Sequence, residues 1–340
     1  MNMIIFEYRD AEKKFFETNE FRDYNITFFK EPLNEDFVDT LSEDLLGNTN
    51  IISVFIESDV SKKVIDKFKN LRIISTRSTG YDHISVKSCQ YKNIALVNVT
   101  NYGETSVAQF TFGLIIALVR NLPHADRVMK KLQPKPETFI GRDLSRLSIG
   151  IIGTGAIGAA VCKTASSFGM NIFGYDTNPK QELVDKFNIN YVSFDEIISQ
   201  SDIVTLHLPY TGDNYKMFNK DAFAKMKDSS YFINTARGEL VDVEALCRAI
   251  ENKKLSGAAL DVLSCENVCF GCAISPDIAK NLSLDCMNEA FYVNRLKKYD
   301  NVIITPHIAY ETQDAIDFIL EKTMENIKRT INGDKLCRVV

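Results

Sequence analysis

Gly153-Thr154-Gly155-Ala156-Ile157-Gly158 is the segment whose spacing speaks most directly to chemistry. It follows an apolar run, Ser148–Ile152, and opens a stretch with helical periodicity, Ile157–Phe168. In such a turn the first glycine permits a tight reversal. The second lets the backbone approach a pyrophosphate, and the third lets the helix pack close to the strand. Ala156 and Ile157 begin that helix, whose unpaired N–H groups and positive dipole end suit a phosphate. A glycine-rich turn alone is a weak sign. The next expected strand strengthens it, because it ends in Gly174-Tyr175-Asp176, eighteen residues after Gly158. A carboxylate there accepts hydrogen bonds from both ribose hydroxyls and would repel a 2′-phosphate, so the pattern points to NAD rather than NADP.

Four histidines offer proton chemistry, since imidazole titrates near neutrality. His307 follows the apolar pair Ile303-Ile304 and precedes a turn, where a side chain can face a cleft. His83 and His124 read as surface or loop residues. His207 lies in the turn Leu206-His207-Leu208-Pro209, a place to border the cofactor rather than to move protons. The cysteines form two sets. Cys89, Cys162, Cys247 and Cys337 are scattered, and Cys162 and Cys247 read as small buried apolar residues. Cys265, Cys269, Cys272 and Cys286 crowd one segment. Their spacing could hold an iron–sulfur cluster or, with all four, zinc. The reading adopted is thiols without metal; a metal centre and a redox-sensing disulfide are the alternatives.

These residues need a scaffold. A chain of 340 residues has room for about two domains of roughly 150 residues. Apolar runs at Met3–Phe6, Ile51–Ile56, Ile73–Ser75 and Ala95–Val97 alternate with helical patterns such as Asp36–Leu46 and Lys62–Phe68. A second series follows: Ser148–Ile152, Asn171–Tyr175, Ile203–Leu206, Tyr231–Asn234 and Gly257–Asp261, with helices such as Val243–Asn252 between. This alternation predicts α/β architecture with parallel sheets covered on both faces. A long apolar helix, Ser106–Arg120, separates the two series. An amphipathic helix from about Ala315 to Asn332 stops at Gly333 and could pack back on the first domain. The expected division is therefore residues 1–102 with 308–340, and 103–307. Gln133–Pro136 reads as a surface loop. The net charge of −5 argues against nucleic acid or an anionic membrane as partner. No signal-peptide pattern is visible, and Phe110–Val119 is too short to span a bilayer, so a soluble cytoplasmic protein is expected.

Further segments carry a resemblance. Asn234-Thr235-Ala236-Arg237-Gly238, Ala259-Leu260-Asp261-Val262 and Thr305-Pro306-His307 follow the glycine motif in order. Arg77-Ser78-Thr79-Gly80-Tyr81-Asp82, Asn98-Val99-Thr100-Asn101-Tyr102 and Ser201–Pro209 add to it. Together they resemble the D-isomer-specific 2-hydroxyacid dehydrogenases over nearly the whole chain, and the D-lactate dehydrogenase branch most. The resemblance implies two doubly wound domains, a Rossmann NAD domain and a flavodoxin-like substrate domain, with the active site in the cleft. It implies NADH-dependent, reversible reduction of a small 2-oxo acid, pyruvate by preference, to the D-hydroxy acid. Bulkier branched or aromatic 2-oxo acids, decided by Tyr310 and Phe55, are the alternative; an NAD-sensing binding protein is a more distant one.

It also implies roles for residues. Arg237 would grip the substrate carboxylate and polarise the ketone, a task suited to a permanently charged planar fork. His307 would be the acid, and Glu266, five positions after Asp261, would orient it and favour its protonated form. The neighbours Leu263-Ser264-Cys265 depart from the family's usual acidic or glycine residues. Backbone N–H groups of Thr79 and Gly80 would bind the carboxylate, Tyr102 would close over the substrate, and Tyr310 would line its side-chain pocket. His207, Pro209, Thr235, Ala236 and Asp261 would contact the cofactor. The helix Ser106–Arg120 would pair across a two-fold axis in a homodimer.

Overall fold

The computed structural model describes residues 1–16, 21–100, 102–130, 139–270, 283–334 and 338–340. Gln133–Pro136, Cys272 and Cys337 lie outside the described residues. The chain divides into two compact units, residues 1–102 with 312–340, and residues 103–311.

The first unit carries a parallel sheet of five strands: β1 (Asn2–Ile5), β2 (Asn25–Phe28), β3 (Ile51–Val54), β4 (Ile73–Thr76) and β5 (Ala95–Val97). Their order is β2-β1-β3-β4-β5, the flavodoxin-like arrangement. β3, β4 and β5 are buried along their whole length, which is why they read as unbroken apolar runs. β2 was not visible in the sequence; it is an edge strand, only partly buried, and its Asn-Ile-Thr-Phe has no full apolar run. The expected helix Asp36–Leu46 is two helices, Glu35–Val38 and Glu43–Asn48. Ser42 causes the break: its hydroxyl accepts from the Leu45 N–H and starts a new helix.

The second unit holds seven parallel strands: β6 (Ser148–Ile152), β7 (Asn171–Tyr175), β8 (Asn190–Tyr191), β9 (Ile203–Leu206), β10 (Ser230–Asn234), β11 (Leu255–Leu260) and β12 (Val302–Ile304). The order is β12-β11-β10-β9-β6-β7-β8, so the chain reverses its direction of progress between β6 and β9. One face of the sheet packs Ile149, Ile151, Ile203 and Ala259 against Val161, Cys162 and the helix Glu104–Val119. The other packs Ile152, Leu206 and Phe232 against Phe218, Leu246 and Val293. Each such Ile, Leu or Val stabilises the unit by about 1.5–3 kcal/mol relative to exposure. Among the described residues no single helix is long and apolar enough to cross a membrane.

The chain returns to the first unit at residue 312 rather than 308. Asp261 holds the intervening residues: the Ile308 and Ala309 N–H groups donate to its carboxylate at 3.0 and 2.9 Å. The helix Gln313–Ile331 then begins on Thr312, whose hydroxyl accepts from the Ala315 N–H, and buries Leu320, Met324 and Ile327 with Met3, Ile5 and Ile73 of the first unit.

Candidate active site

Strand register places the candidate residues of the second unit along one edge. Ile304, Leu260, Asn234, Leu206, Ile152 and Tyr175 are successive partners across β12, β11, β10, β9, β6 and β7. His307, Asp261, Glu266, Arg237, His207, Gly153 and Asp176 each follow this row by one to six positions. In a parallel sheet all these strand ends point the same way, and the reversal between β6 and β9 opens the crevice in which such sheets bind ligands.

At that crevice the chain approaches itself closely. Gly153 has φ +90°, and a Cβ there would lie 2.5 Å from the His207 carbonyl oxygen; a side chain is excluded on both counts. Gly158 admits none either, since its Cβ would meet the Gly153 carbonyl oxygen at 2.0 Å. Gly155 differs. It is exposed, it caps the helix Ala156–Ser167, and nothing lies within 4 Å of where its Cβ would be. The open side therefore lies over a helix N-terminus, with exposed Ala156 beside it and half-buried Ile157 next, a fit for a pyrophosphate.

Asp176 accepts from the Thr154 N–H at 2.6 Å, the Thr154 hydroxyl at 3.0 Å and the Asn178 N–H at 2.8 Å. Partial burial pushes its carboxyl up, but these donors and nearby Lys180 outweigh it and hold the group below its ordinary value. It is ionised at neutral pH, which suits it to accept from hydroxyl donors. Half-buried His207 hydrogen-bonds Thr205 through Nε2 at 3.0 Å, while its Nδ1 is buried with no partner among the described residues. Desolvation pushes its imidazole down to about 3, so it is neutral and unsuited to acid catalysis. Pro209 is exposed just beyond. Thr235 and Ala236 are buried; the Thr235 hydroxyl pairs with that of Thr111 at 3.1 Å. An open glycine face, an ionised carboxylate and an orphaned ring nitrogen on one edge fit a dinucleotide.

The other three strand ends carry side-chain chemistry. His307 Nδ1 and Glu266 Oε2 lie 3.0 Å apart, and the Leu263 N–H donates to Glu266 Oε1 at 3.3 Å. His307 sits at φ +54°, in the left-handed region, at a cost of about 1–3 kcal/mol for such a residue. Its N–H donates to the Asp261 carbonyl at 2.8 Å. Asp261, expected at the cofactor, is 0% exposed, and its carboxylate is engaged inside the protein by the Thr305 hydroxyl and the Ile308 and Ala309 N–H groups. Burial raises its carboxyl above the ordinary value despite these donors.

Arg237 is half-buried, with one guanidinium nitrogen donating to the Ala236 carbonyl at 2.7 Å and its own carbonyl accepting from Asn234 at 2.9 Å. The next residue, Gly238, packs directly on the Leu263–Ser264 backbone, where a Cβ would come within 2.1 Å of the Leu263 carbonyl carbon. That contact ties the Arg237 turn to the turn leading into Glu266. Tyr310 is buried, 7% exposed.

Two features depart from the adopted reading of the sequence, the first being the disulfide that it held as an alternative. Cys265 and Cys286 form a disulfide, against the expectation of reduced thiols, because the helix Leu284–Leu296 brings Cys286 to a Cα separation of 5.6 Å. Glu289 of that helix accepts from the Ser264 N–H at 2.7 Å. Cys89, Cys162, Cys247 and Cys269 are free and buried, each thiol pushed up to about 11 or 12 by burial.

In the first unit, Thr79 and Gly80 lie beyond β4 in a loop pinned by Thr79 donating to the Val99 carbonyl at 3.0 Å and Ser78 donating to the Gly80 carbonyl at 2.6 Å. Tyr102, half-buried, ends that unit's first segment.

Residues 112–309 match the model of the D-isomer specific 2-hydroxyacid dehydrogenase NAD-binding domain. The chain is 32% identical over 339 residues to a D-lactate dehydrogenase of Lactiplantibacillus plantarum, covering 98% of each. It is 35% identical over 295 residues to an aromatic 2-oxoacid reductase of Clostridium sporogenes, covering 84% of this chain and 86% of the relative. A crystal structure of the D-lactate dehydrogenase of Aquifex aeolicus complexed with NAD and lactic acid superposes with a TM-score of 0.88 at 33% identity, over 100% of this chain and 99% of the other.

Proposed function

The chain belongs to the D-isomer-specific 2-hydroxyacid dehydrogenases, NAD-dependent oxidoreductases, and from that premise we propose that it reduces pyruvate to D-lactate, reversibly. The observation that carries the reading is the 3.0 Å pair of His307 and Glu266, on the same sheet edge as Arg237 and the glycine turn. NADH, when bound, supplies the hydride. Gly153, Gly155, Ala156, Ile157 and Gly158 would hold its pyrophosphate, and Asp176 its ribose. His207, Pro209, Thr235 and Ala236 would border the rest. Asp261 instead would fix the turn that presents His307.

Arg237 binds the substrate carboxylate and polarises the ketone, which makes the carbonyl carbon electrophilic. Glu266 engages Nδ1 of His307, which leaves Nε2 to donate its proton to the ketone oxygen; the same nitrogen takes it back in the reverse direction. Thr79 and Gly80 are proposed as further carboxylate donors, Tyr102 as a substrate contact and Tyr310 as lining for the substrate side chain. The reading includes a cytoplasmic enzyme working as a homodimer through the helix Glu104–Val119, where Phe110 and Ile116 remain only half-buried.

The likeness to the aromatic 2-oxoacid reductase supports a second reading, in which phenylpyruvate-type substrates are preferred. Rates of NADH oxidation over a panel running from pyruvate through branched to aromatic 2-oxo acids decide between them. Highest kcat/KM on pyruvate is expected. Failure to turn over any 2-oxo acid would remove the enzymatic reading and favour an NAD-sensing binding protein.

A further inference from the structure

We propose that the Cys265–Cys286 disulfide and the Glu289 carboxylate together hold Glu266 against His307, so that reduction of the disulfide by a dithiol slows turnover; this builds on the roles assigned above to Glu266 and His307. Glu266 opens a helix of only four residues, Glu266–Cys269. A helix that short does not sustain itself, so its position must come from outside. The helix Leu284–Leu296 supplies it. Cys286 in its first turn is bonded to Cys265, the residue before Glu266. Glu289 lies three positions on, on the same face. Its carboxylate accepts from the Ser264 and Cys265 N–H groups. Just past the helix, the Lys297 ammonium donates to the Cys269 carbonyl at 2.7 Å, at the far end of the short helix. The segment carrying Glu266 is thus held covalently at its start, by hydrogen bonds beside that, and by a cation at its end. Each restraint leads to one neighbouring helix.

A dithiol would release the covalent restraint. One thiolate attacks a sulfur of the pair and forms a mixed disulfide, and the second thiol displaces it. The dithiol loses two electrons and closes to a cyclic disulfide, while Cys265 and Cys286 each leave as a thiol with one proton. Glu289 and Lys297 remain, so the loss is partial. Misplacing a reacting group by about 1 Å can cost 10²-fold, and a loosened one is expected to cost about three- to tenfold in kcat.

The test compares the purified enzyme before and after dithiothreitol. Thiol titration of the denatured protein should find two more thiols after treatment. Kcat for pyruvate should fall about three- to tenfold while NADH affinity, by fluorescence titration, stays constant. Cys286→Ser should match the reduced enzyme and ignore dithiothreitol. Glu289→Gln should lower kcat again while leaving NADH affinity and KM for pyruvate unchanged, a split that a general loss of structure would not produce. No gain in thiols, an unchanged kcat on reduction, or a Cys286→Ser variant that still responds would each overturn the proposal. The Glu266→Gln variant separates the two levels. If its pH profile is unchanged, the assignment of Glu266 is wrong. If it shifts while reduction and Glu289→Gln do nothing, only the clamp is wrong.

Discussion

Asp176 and Asp261 stand at the ends of two strands of one sheet, and their carboxylates are used in opposite ways. Asp176 lies near the surface, ionised, gathering N–H and hydroxyl donors from the glycine turn. Asp261 is fully buried, its ordinary acidity weakened by desolvation, holding the turn that places His307 in a left-handed conformation. The cofactor half of the edge is built from backbone: close approaches at Gly153 and Gly158 and an open helix end at Gly155. The half proposed to be catalytic is built from side chains of distant segments, brought together by strand register and by buried contacts such as Gly238 on Leu263. At Gly153 and Gly158 there is no room for a Cβ, so this part of the edge is sensitive to any side chain placed there. A side-chain site loses function in graded steps as each support is withdrawn.

The largest expected effect falls on the catalytic half. His307→Ala should lower pyruvate reduction by roughly 10²- to 10⁴-fold, the usual loss for a general acid, with NADH affinity preserved. A variant that lost NADH binding to the same degree would erase the division between the two halves. Arg237→Lys comes next. A lysine keeps the charge but offers one compact donor group in place of a planar fork. A fall in kcat/KM for pyruvate of about 10²-fold is expected, with NADH titration unchanged. Parallel losses of cofactor and substrate binding would make Arg237 a structural residue.

The cofactor half should show a smaller change, in preference rather than rate. Asp176→Asn removes the negative charge that would repel a 2′-phosphate while keeping its approximate shape. The ratio of kcat/KM with NADH to that with NADPH should fall about tenfold. An enzyme that already uses both cofactors equally would sink the role given to Asp176.

The contrast between the halves also explains what the sequence disclosed. The glycine turn and Asp176 lie within 24 residues, from Gly153 to Asp176, and each glycine answers a local steric demand. Such a site is written in one stretch of chain. Arg237, Glu266 and His307 span 71 residues, Arg237 to His307, and only the resemblance joined them in advance. Their supports were invisible: Glu289 and Cys286 reach the Glu266 turn from a helix whose docking no local pattern announces. The resemblance implies a cofactor contact for Asp261; its burial beneath residues 307–309 depends on the β11–β12 register, which no local pattern in the sequence shows. The missed strands, β2 and β8, are edges, where partial burial leaves no continuous apolar run.

The smallest effect, and the sharpest test of the comparison, is acid stability. The ordinary aspartate value is 3.8 for both groups. Asp261 is raised above it, first by burial, so the native state binds its proton more tightly than the unfolded chain does. Its contribution is complete below about pH 3.8 and is lost as pH rises through the raised value. Asp176 is lowered: burial opposes ionisation, but the Asn178 and Thr154 donors and Lys180 outweigh it. Its contribution is present above about pH 3.8 and is lost as pH falls through the lowered value. Thermal midpoints of the wild type and of Asp176→Asn and Asp261→Asn, taken from about pH 3 to pH 6, should therefore diverge in opposite senses. The advantage of the wild type over Asp261→Asn should shrink as pH rises past about 4, because only the wild type has a buried carboxyl to ionise. Its advantage over Asp176→Asn should grow as pH rises to about 4, because only the wild type gains a carboxylate for those donors. Changes of a few degrees or less are expected for a chain of this size. Two parallel curves would mean that the buried and the half-buried aspartate titrate alike in the native state, and that the edge is not divided between a buried support and a more open cofactor site.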